Sequence, residues 1–181
     1  MNKYIVLSLL LFGLAAGCAN KELSELLTPG SDLNNYYSQK APNVNESPKS
    51  AATTWTESRA DAMLWAENSK RAVLAYFTLE DHCSWCKKLE QEVFQTPEFI
   101  GWANENAVPL RIEIPKKENS RQPVALRAQN SQLAQLYNSY ISGYPTVLML
   151  DEEGRVLGKL GYIQGGPKAW TAIANQQLRT R

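Results

Sequence analysis

Apolar and polar positions divide the chain into three regimes. After Lys3, the run from Tyr4 to Ala16 is almost wholly apolar. It is shorter than the roughly 20 residues a membrane-spanning helix needs, and a basic residue followed by a short apolar stretch is the layout of a secretory signal. Residues 1–17 are therefore expected to be a signal peptide. Residues 18–52 are rich in Ser, Asn, Pro, Lys and Glu, and Asn43 to Ser50 follows neither a helical nor a strand period; this stretch reads as a flexible tether.

From residue 53 to residue 181 the pattern is that of a folded domain. Trp55 closes a short strand, and residues 57–68 carry Ala60, Met63 and Leu64 at helical spacing. Ala72 to Phe77 is a compact apolar run, expected as a buried strand. A polar turn from Thr78 to His82 leads into a helix beginning at Cys83, with Trp85, Leu89 and Val93 on one stripe. Thr96-Pro97-Glu98 combines a capping residue, a first-turn proline and an acid, so it opens a further helix. Strands are expected at 108–114 and 146–150, helices at 124–140 and 168–179, and a hairpin partner at 155–160 after the turn Asp151 to Gly154. The order is β-α-β-α-β-α-β-β-α. An alternating half followed by a hairpin and a terminal helix predicts an α/β fold, a mixed central sheet with helices on both faces.

Charge changes this picture little. The 181 residues carry a net charge of +1, and without residues 1–17 the 18 basic and 18 acidic residues cancel. That balance gives no electrostatic reason to expect nucleic acid as a partner.

Cysteine placement changes it a great deal. The three cysteines are Cys18, Cys83 and Cys86, and the lone histidine is His82. Cys83-Ser84-Trp85-Cys86 places two thiols three residues apart at a helix start, on one face and about one turn from each other, within bridging range. Unpaired N–H groups at a helix N-terminus favour a thiolate there, and Lys87 and Lys88 add positive potential. Such a pair exchanges disulfides: the Cys83 thiolate attacks a substrate disulfide, and Cys86 resolves the mixed disulfide. A zinc site would need two more ligands, so no metal is expected, and no cofactor. A purely structural bridge remains the other reading of the pair. It would close a very short loop and stabilise the fold less than a long one.

Leu14-Ala15-Ala16-Gly17-Cys18 resembles a bacterial lipobox, in which small residues precede a lipid-modified cysteine; Leu stands one place earlier here than is usual. The resemblance implies lipidation of Cys18 and a lipid anchor on the periplasmic side of a bacterial membrane, with soluble export as the alternative.

The strand Val73 to Phe77, the motif Cys83-Ser84-Trp85-Cys86-Lys87-Lys88-Leu89 and the segment Gly143-Tyr144-Pro145-Thr146-Val147 together resemble the thioredoxin superfamily over about residues 53–181. Glu92 to Phe99, Leu160-Gly161-Tyr162 and Gly165-Gly166-Pro167 are similar to an exported bacterial subgroup that includes periplasmic disulfide reductases of the DsbH type. The resemblance implies a thioredoxin-like fold, a cis bond before Pro145 facing the cysteine pair, and recognition of extended substrate beside it, with Tyr144 and Trp85 flanking the groove. It also implies disulfide-containing exported proteins as partners and a membrane thiol protein as electron donor. Thioredoxins carry a buried Asp in the strand before the cysteines; the matching place here is Tyr76 or Phe77, neither a carboxylate, with Glu80 or Asp81 as substitutes to be weighed and His82, when protonated, as a group that would stabilise the Cys83 thiolate. A thioredoxin-fold binding module with a static disulfide, and a reductant dedicated to one client such as an apocytochrome, are the competing functions.

Overall fold

A computed structural model describes residues 55–81, 83–115 and 120–179. The signal peptide, the tether, Cys18 and His82 all lie outside the described residues. Helix α1 (Arg59–Ser69) is capped by Ser58, whose hydroxyl accepts the Asp61 N–H at 3.2 Å. It ends at Lys70, whose left-handed backbone (φ 56°) turns the chain into the sheet.

Strand β1 (Ala72–Leu79) follows. It runs two residues further than its apolar stretch suggests, because Thr78 and Leu79 continue the ladder to Glu113 and Ile114. Helix α2 (Ser84–Leu89) passes without a break into a π-helical turn, Glu90–Phe94. Helix α3 (Pro97–Asn106) begins as the sequence predicts, with the Thr96 hydroxyl accepting the Phe99 N–H and Pro97 in the first turn. Strand β2 (Ala107–Ile114), helix α4 (Val124–Leu136), the hairpin β3 (Thr146–Leu150) and β4 (Val156–Leu160), and helix α5 (Gly166–Leu178) complete the described chain.

The four strands form one mixed sheet in the order β2-β1-β3-β4, with β1 parallel to β2 and antiparallel to β3, and β3 antiparallel to β4. The strand expected at Trp55 shrinks to one parallel bridge: Thr56 donates to the Pro109 carbonyl and accepts the Arg111 N–H, covering the outer edge of β2. Helix α4 stops four residues before the expected Tyr140, and its chain continues as turns.

The two faces of the sheet are closed separately. Val73, Ala75 and Phe77 of β1 pack with Leu148 and Leu150 of β3 against Ala62 and Ala66 of α1 and Leu133 of α4. The alternate residues Leu74, Tyr76, Val147 and Met149 pack against α2, the π-turn, α3 and α5. Both sides of β1 are buried, which is why it reads as a continuous apolar run instead of an alternating one. The expected helices on both faces are present.

Candidate functional site: a cysteine pair at a helix start beside an aromatic groove

Cys83 is the N-cap of α2. Its backbone is extended (φ −99°, ψ 92°), its carbonyl accepts the Lys87 N–H, and its Sγ accepts the Cys86 N–H at 3.2 Å. A sulfur in this position takes the place of a capping oxygen, so one orphan donor of the helix start points at it. The same donor stabilises negative charge once that sulfur is a thiolate. Cys86 lies one turn inside, and the two residues are joined by a disulfide with their Cα atoms 5.1 Å apart. Cys83 is 9 % exposed and Cys86 2 %. An incoming disulfide therefore meets Cys83 first.

Beside the pair runs a groove of about 670 Å³, lined by Trp85, Tyr144, Pro145, Tyr162, Ile163 and Ile173 among others. The Tyr144–Pro145 bond is cis, and Pro145 leads directly into β3. The chain leaving β4 runs directly alongside, close enough that a Cβ on Gly161 would sit 3.3 Å from the Pro145 carbonyl oxygen. The structure thus brings Trp85, Tyr144 and Pro145 to one groove.

Trp85 departs from its predicted stripe. Leu89 and Val93 are fully buried, but Trp85 is 56 % exposed and stands at the rim. Its ring leans on Tyr162, with centroids 5.3 Å apart, and the Lys88 ammonium lies 5.3 Å and 5.0 Å from the two ring centres. Glu92 receives the Tyr162 hydroxyl and pairs with Lys88 at 3.8 Å, so one acid steadies both neighbours of the tryptophan.

A thioredoxin-like domain signature matches residues 59–177. The chain belongs to the thioredoxin-like family. It is 28 % identical over 134 residues to the disulfide bond reductase DsbH of Chlamydia pneumoniae, a match spanning 74 % of this chain and 78 % of that protein. A solved DsbH oxidoreductase structure superposes with a TM-score of 0.62 at 27 % identity, covering 81 % of this chain and 99 % of that one. A thioredoxin from Thermus thermophilus shares the fold at 20 % identity, with a TM-score of 0.52 over 69 % of this chain and 86 % of its own.

Within this thioredoxin-like frame, the place of the buried strand acid is Tyr76. Its ring joins the cluster that contains both cysteines, whereas Phe77 faces the opposite side of the sheet. Neither acid weighed from the sequence takes over the role. Glu80 accepts from the Ser120 hydroxyl and the Arg121 N–H, and Asp81 pairs with Arg121 at 3.5 Å; both face the loop after β2.

Glu90 is the acid that the sequence reading passed over. It lies one helical turn beyond Cys86, its N–H bonded to the Cys86 carbonyl, and helical side chains lean back toward the N-terminus. The Tyr76 hydroxyl donates to its Oε1 at 2.9 Å, and Arg111 donates to the same oxygen at 3.0 Å. Burial pushes the Tyr76 phenol far above its ordinary range, with the Glu90 charge adding to the shift, so Tyr76 is a hydrogen-bond donor throughout the working pH range. Burial acts to lower the Arg111 guanidinium, but Glu90 and Glu113 outweigh it and hold Arg111 firmly charged. The signal for Glu90 was available as a spacing: it stands four residues after Cys86.

Proposed function

We propose that this protein is a thiol–disulfide oxidoreductase of the DsbH kind, working as a reductase on disulfide-bearing exported proteins. The observation that carries the reading is the graded burial of a bonded Cys83–Cys86 pair at the start of α2, beside the groove of Pro145. The reductive direction rests on the relative named a disulfide bond reductase.

In the reduced protein the Cys83 thiolate attacks one sulfur of the substrate disulfide. A Cys83–substrate bond forms, and the other substrate sulfur leaves as a thiolate. Cys86 then attacks Cys83, the protein disulfide forms, and the second substrate thiolate departs; two electrons have passed from the cysteine pair to the substrate. The Cys86 proton is released during this second step, and its proposed acceptor is Glu90, one helical turn beyond Cys86 and held by Tyr76 and Arg111. Pro145 and Tyr144 present the groove wall to an extended segment of substrate, and Trp85 forms its rim.

The compartment follows from the N-terminal sequence. Residues 1–17 direct export, lipidated Cys18 anchors the protein on the periplasmic side of a bacterial membrane, residues 18–52 tether the domain, and a membrane thiol protein returns electrons to the pair. More than one acyl chain at Cys18 gives a durable anchor where a single chain gives a marginal one. Among the described residues no helix is long and apolar enough to cross a membrane.

The test is reduction of insulin by the full chain with dithiothreitol as electron source, together with the redox equilibrium of Cys83–Cys86 against glutathione. Activity should vanish in Cys83→Ser, Cys86→Ala should accumulate mixed disulfides with clients, and the potential should lie near that of thioredoxin, about −270 mV. Insulin reduction that survives Cys83→Ser would overturn the exchange chemistry, and a potential near that of a strong oxidant, about −120 mV, would reverse the direction.

A further inference from the structure

The groove is chemically lopsided. Its rim and floor are aromatic and aliphatic, through Trp85, Tyr144, Tyr162, Ile163 and Ile173, and no acid lines it. Its one ionised side chain is Lys159 of β4, at the end marked by Ser142. The Lys159 ammonium donates to the Ser142 hydroxyl at 2.9 Å and makes no ion pair among the described residues. Lys88, at the Trp85 rim, differs: it is engaged by Glu92 and by two rings. One end of the groove therefore carries a positive charge that nothing in the described fold neutralises, and the other end offers apolar surface.

We propose that the groove selects an extended, disulfide-bearing segment with an apolar side chain near the attacked cysteine and a carboxylate further along, within reach of Lys159. This rests on the thiol-exchange reading and adds the substrate class to it. The strands set the geometry. In the β3–β4 ladder Val147 pairs with Leu160, so Pro145 and Tyr162 lie just beyond the last pair of two neighbouring strands. An extended segment laid along the Pro145 wall turns alternate side chains to the same side. One such side chain lies against Tyr162 and Ile173 while the chain runs on toward Ser142 and Lys159. A hydroxyl and an ammonium are together a suitable pair of donors for a carboxylate. The attraction sits at a water-exposed site, so it acts mainly on encounter and weakens with salt.

Short peptides with one internal disulfide test this, mixed with the reduced full chain and quenched in acid, so that the second-order rate constant of reduction is read directly. The set varies one position between Leu and Ser and another between Glu, Gln and Lys. Leu should outpace Ser by about tenfold, and Glu should outpace Lys by about three- to tenfold at low ionic strength, a difference that collapses in 0.5 M salt. Lys159→Glu should invert the charge preference and Lys159→Gln should flatten it. Lys168→Glu, an exposed position on α5 outside the groove, should leave it in place. Equal rates for the Glu and Lys peptides, or a preference that survives Lys159→Glu, overturn the substrate class while leaving thiol exchange standing. Failure to reduce any peptide or glutathione disulfide overturns both.

Discussion

The two faces of the sheet are built from the same strands but by different rules. On the α1–α4 face, Val73, Ala75, Phe77, Leu148 and Leu150 meet small and aliphatic helix residues. Its buried polar groups sit at the margin, as with Asn130, whose amide bonds the Glu113 carbonyl and the Gln122 side chain. On the α2–α3–α5 face the packing is aromatic. Phe94, Phe99, Trp102 and Trp170 contact one another with ring centroids 4.7–5.8 Å apart, and Trp55 and Tyr76 extend the cluster. This second face also carries the disulfide, the π-turn and the Tyr76–Glu90–Arg111 chain. Reactive groups concentrate where broad, rigid rings hold the backbone, because a site must be fixed by its surroundings to work. The plainer face supplies stability without chemistry.

The sharpest way to break that contrast is to remove a ring. Trp170 is fully buried, contacts Phe94, Phe99 and Trp102, and donates its indole N–H to the Gly161 carbonyl at 3.0 Å. Trp170→Ala should cost about 3–5 kcal/mol in urea unfolding. Because Gly161 also lines the groove, the surviving folded protein should reduce insulin more slowly per molecule. Leu133→Ala on the other face should cost about 2–4 kcal/mol and leave activity per folded molecule unchanged. Equal loss of activity in the two variants would erase the distinction between the faces.

A finer probe stays within the reactive face. In a Cys83→Ser background Cys86 is the only thiol of the pair, and a carboxylate one turn away opposes its ionisation. Glu90→Gln should speed its alkylation by iodoacetamide at pH 7 by about two- to threefold, less than a bare unit charge would give because Arg111 is paired with the same carboxylate. Tyr76→Phe, which removes a hydrogen bond but no charge, should have a smaller effect. Glu92→Gln, on the exposed side of the same turn, should have none. If Glu90→Gln and Glu92→Gln behave alike, Glu90 has no special relation to Cys86.

How far the sequence carries differs between the faces for the same reasons. The β1 run, the Thr96-Pro97 helix start and the β3–β4 hairpin were legible because local signals and tertiary packing agree there. The Cys83–Cys86 bridge was legible because two cysteines three residues apart at a helix start lie within bridging range, whereas the cis bond before Pro145 came only through the family resemblance. The exposure of Trp85 was not legible, since a helical stripe that predicts burial for Leu89 and Val93 predicts it equally for a residue used at a groove rim. The π-turn at Glu90–Phe94 leaves no mark in apolar periodicity, although the four-residue spacing of Glu90 from Cys86 is there to read. Tyr162, Lys159 and Ile173 reach the groove from β4 and α5 through long-range pairing, which no local pattern encodes. Leu136 repeats the Trp85 case: it fits the helical period of α4 yet is 61 % exposed, because the helix ends there and Tyr137 takes the buried place.

The smallest expected effect lies at the corner of the β3–β4 hairpin, which touches the α1–α4 face through Tyr137 and lies away from the cysteine face. Asp151 is buried and accepts the Glu153 and Arg155 backbone N–H groups, and the Arg155 Nε at 2.6 Å. Gly154, at φ 83°, completes the turn, and the Tyr137 hydroxyl donates to its carbonyl. Burial alone would raise the Asp151 carboxyl, but the Arg155 and backbone hydrogen bonds outweigh it and hold the group below its usual value. A carboxyl lowered on folding contributes stability that is fully present above its unfolded value, about 3.9, and is lost as pH falls through the folded value. Asp151→Asn should therefore cost about 1 kcal/mol at pH 7 and flatten the acid limb of the stability curve below about pH 4. Urea midpoints at pH 7 and pH 3 measure both. Because the turn carries none of the redox chemistry, the rate of insulin reduction at pH 7 should match that of the unsubstituted protein. A change in that rate would mean that the hairpin corner and the groove walls built on the same two strands are mechanically one unit.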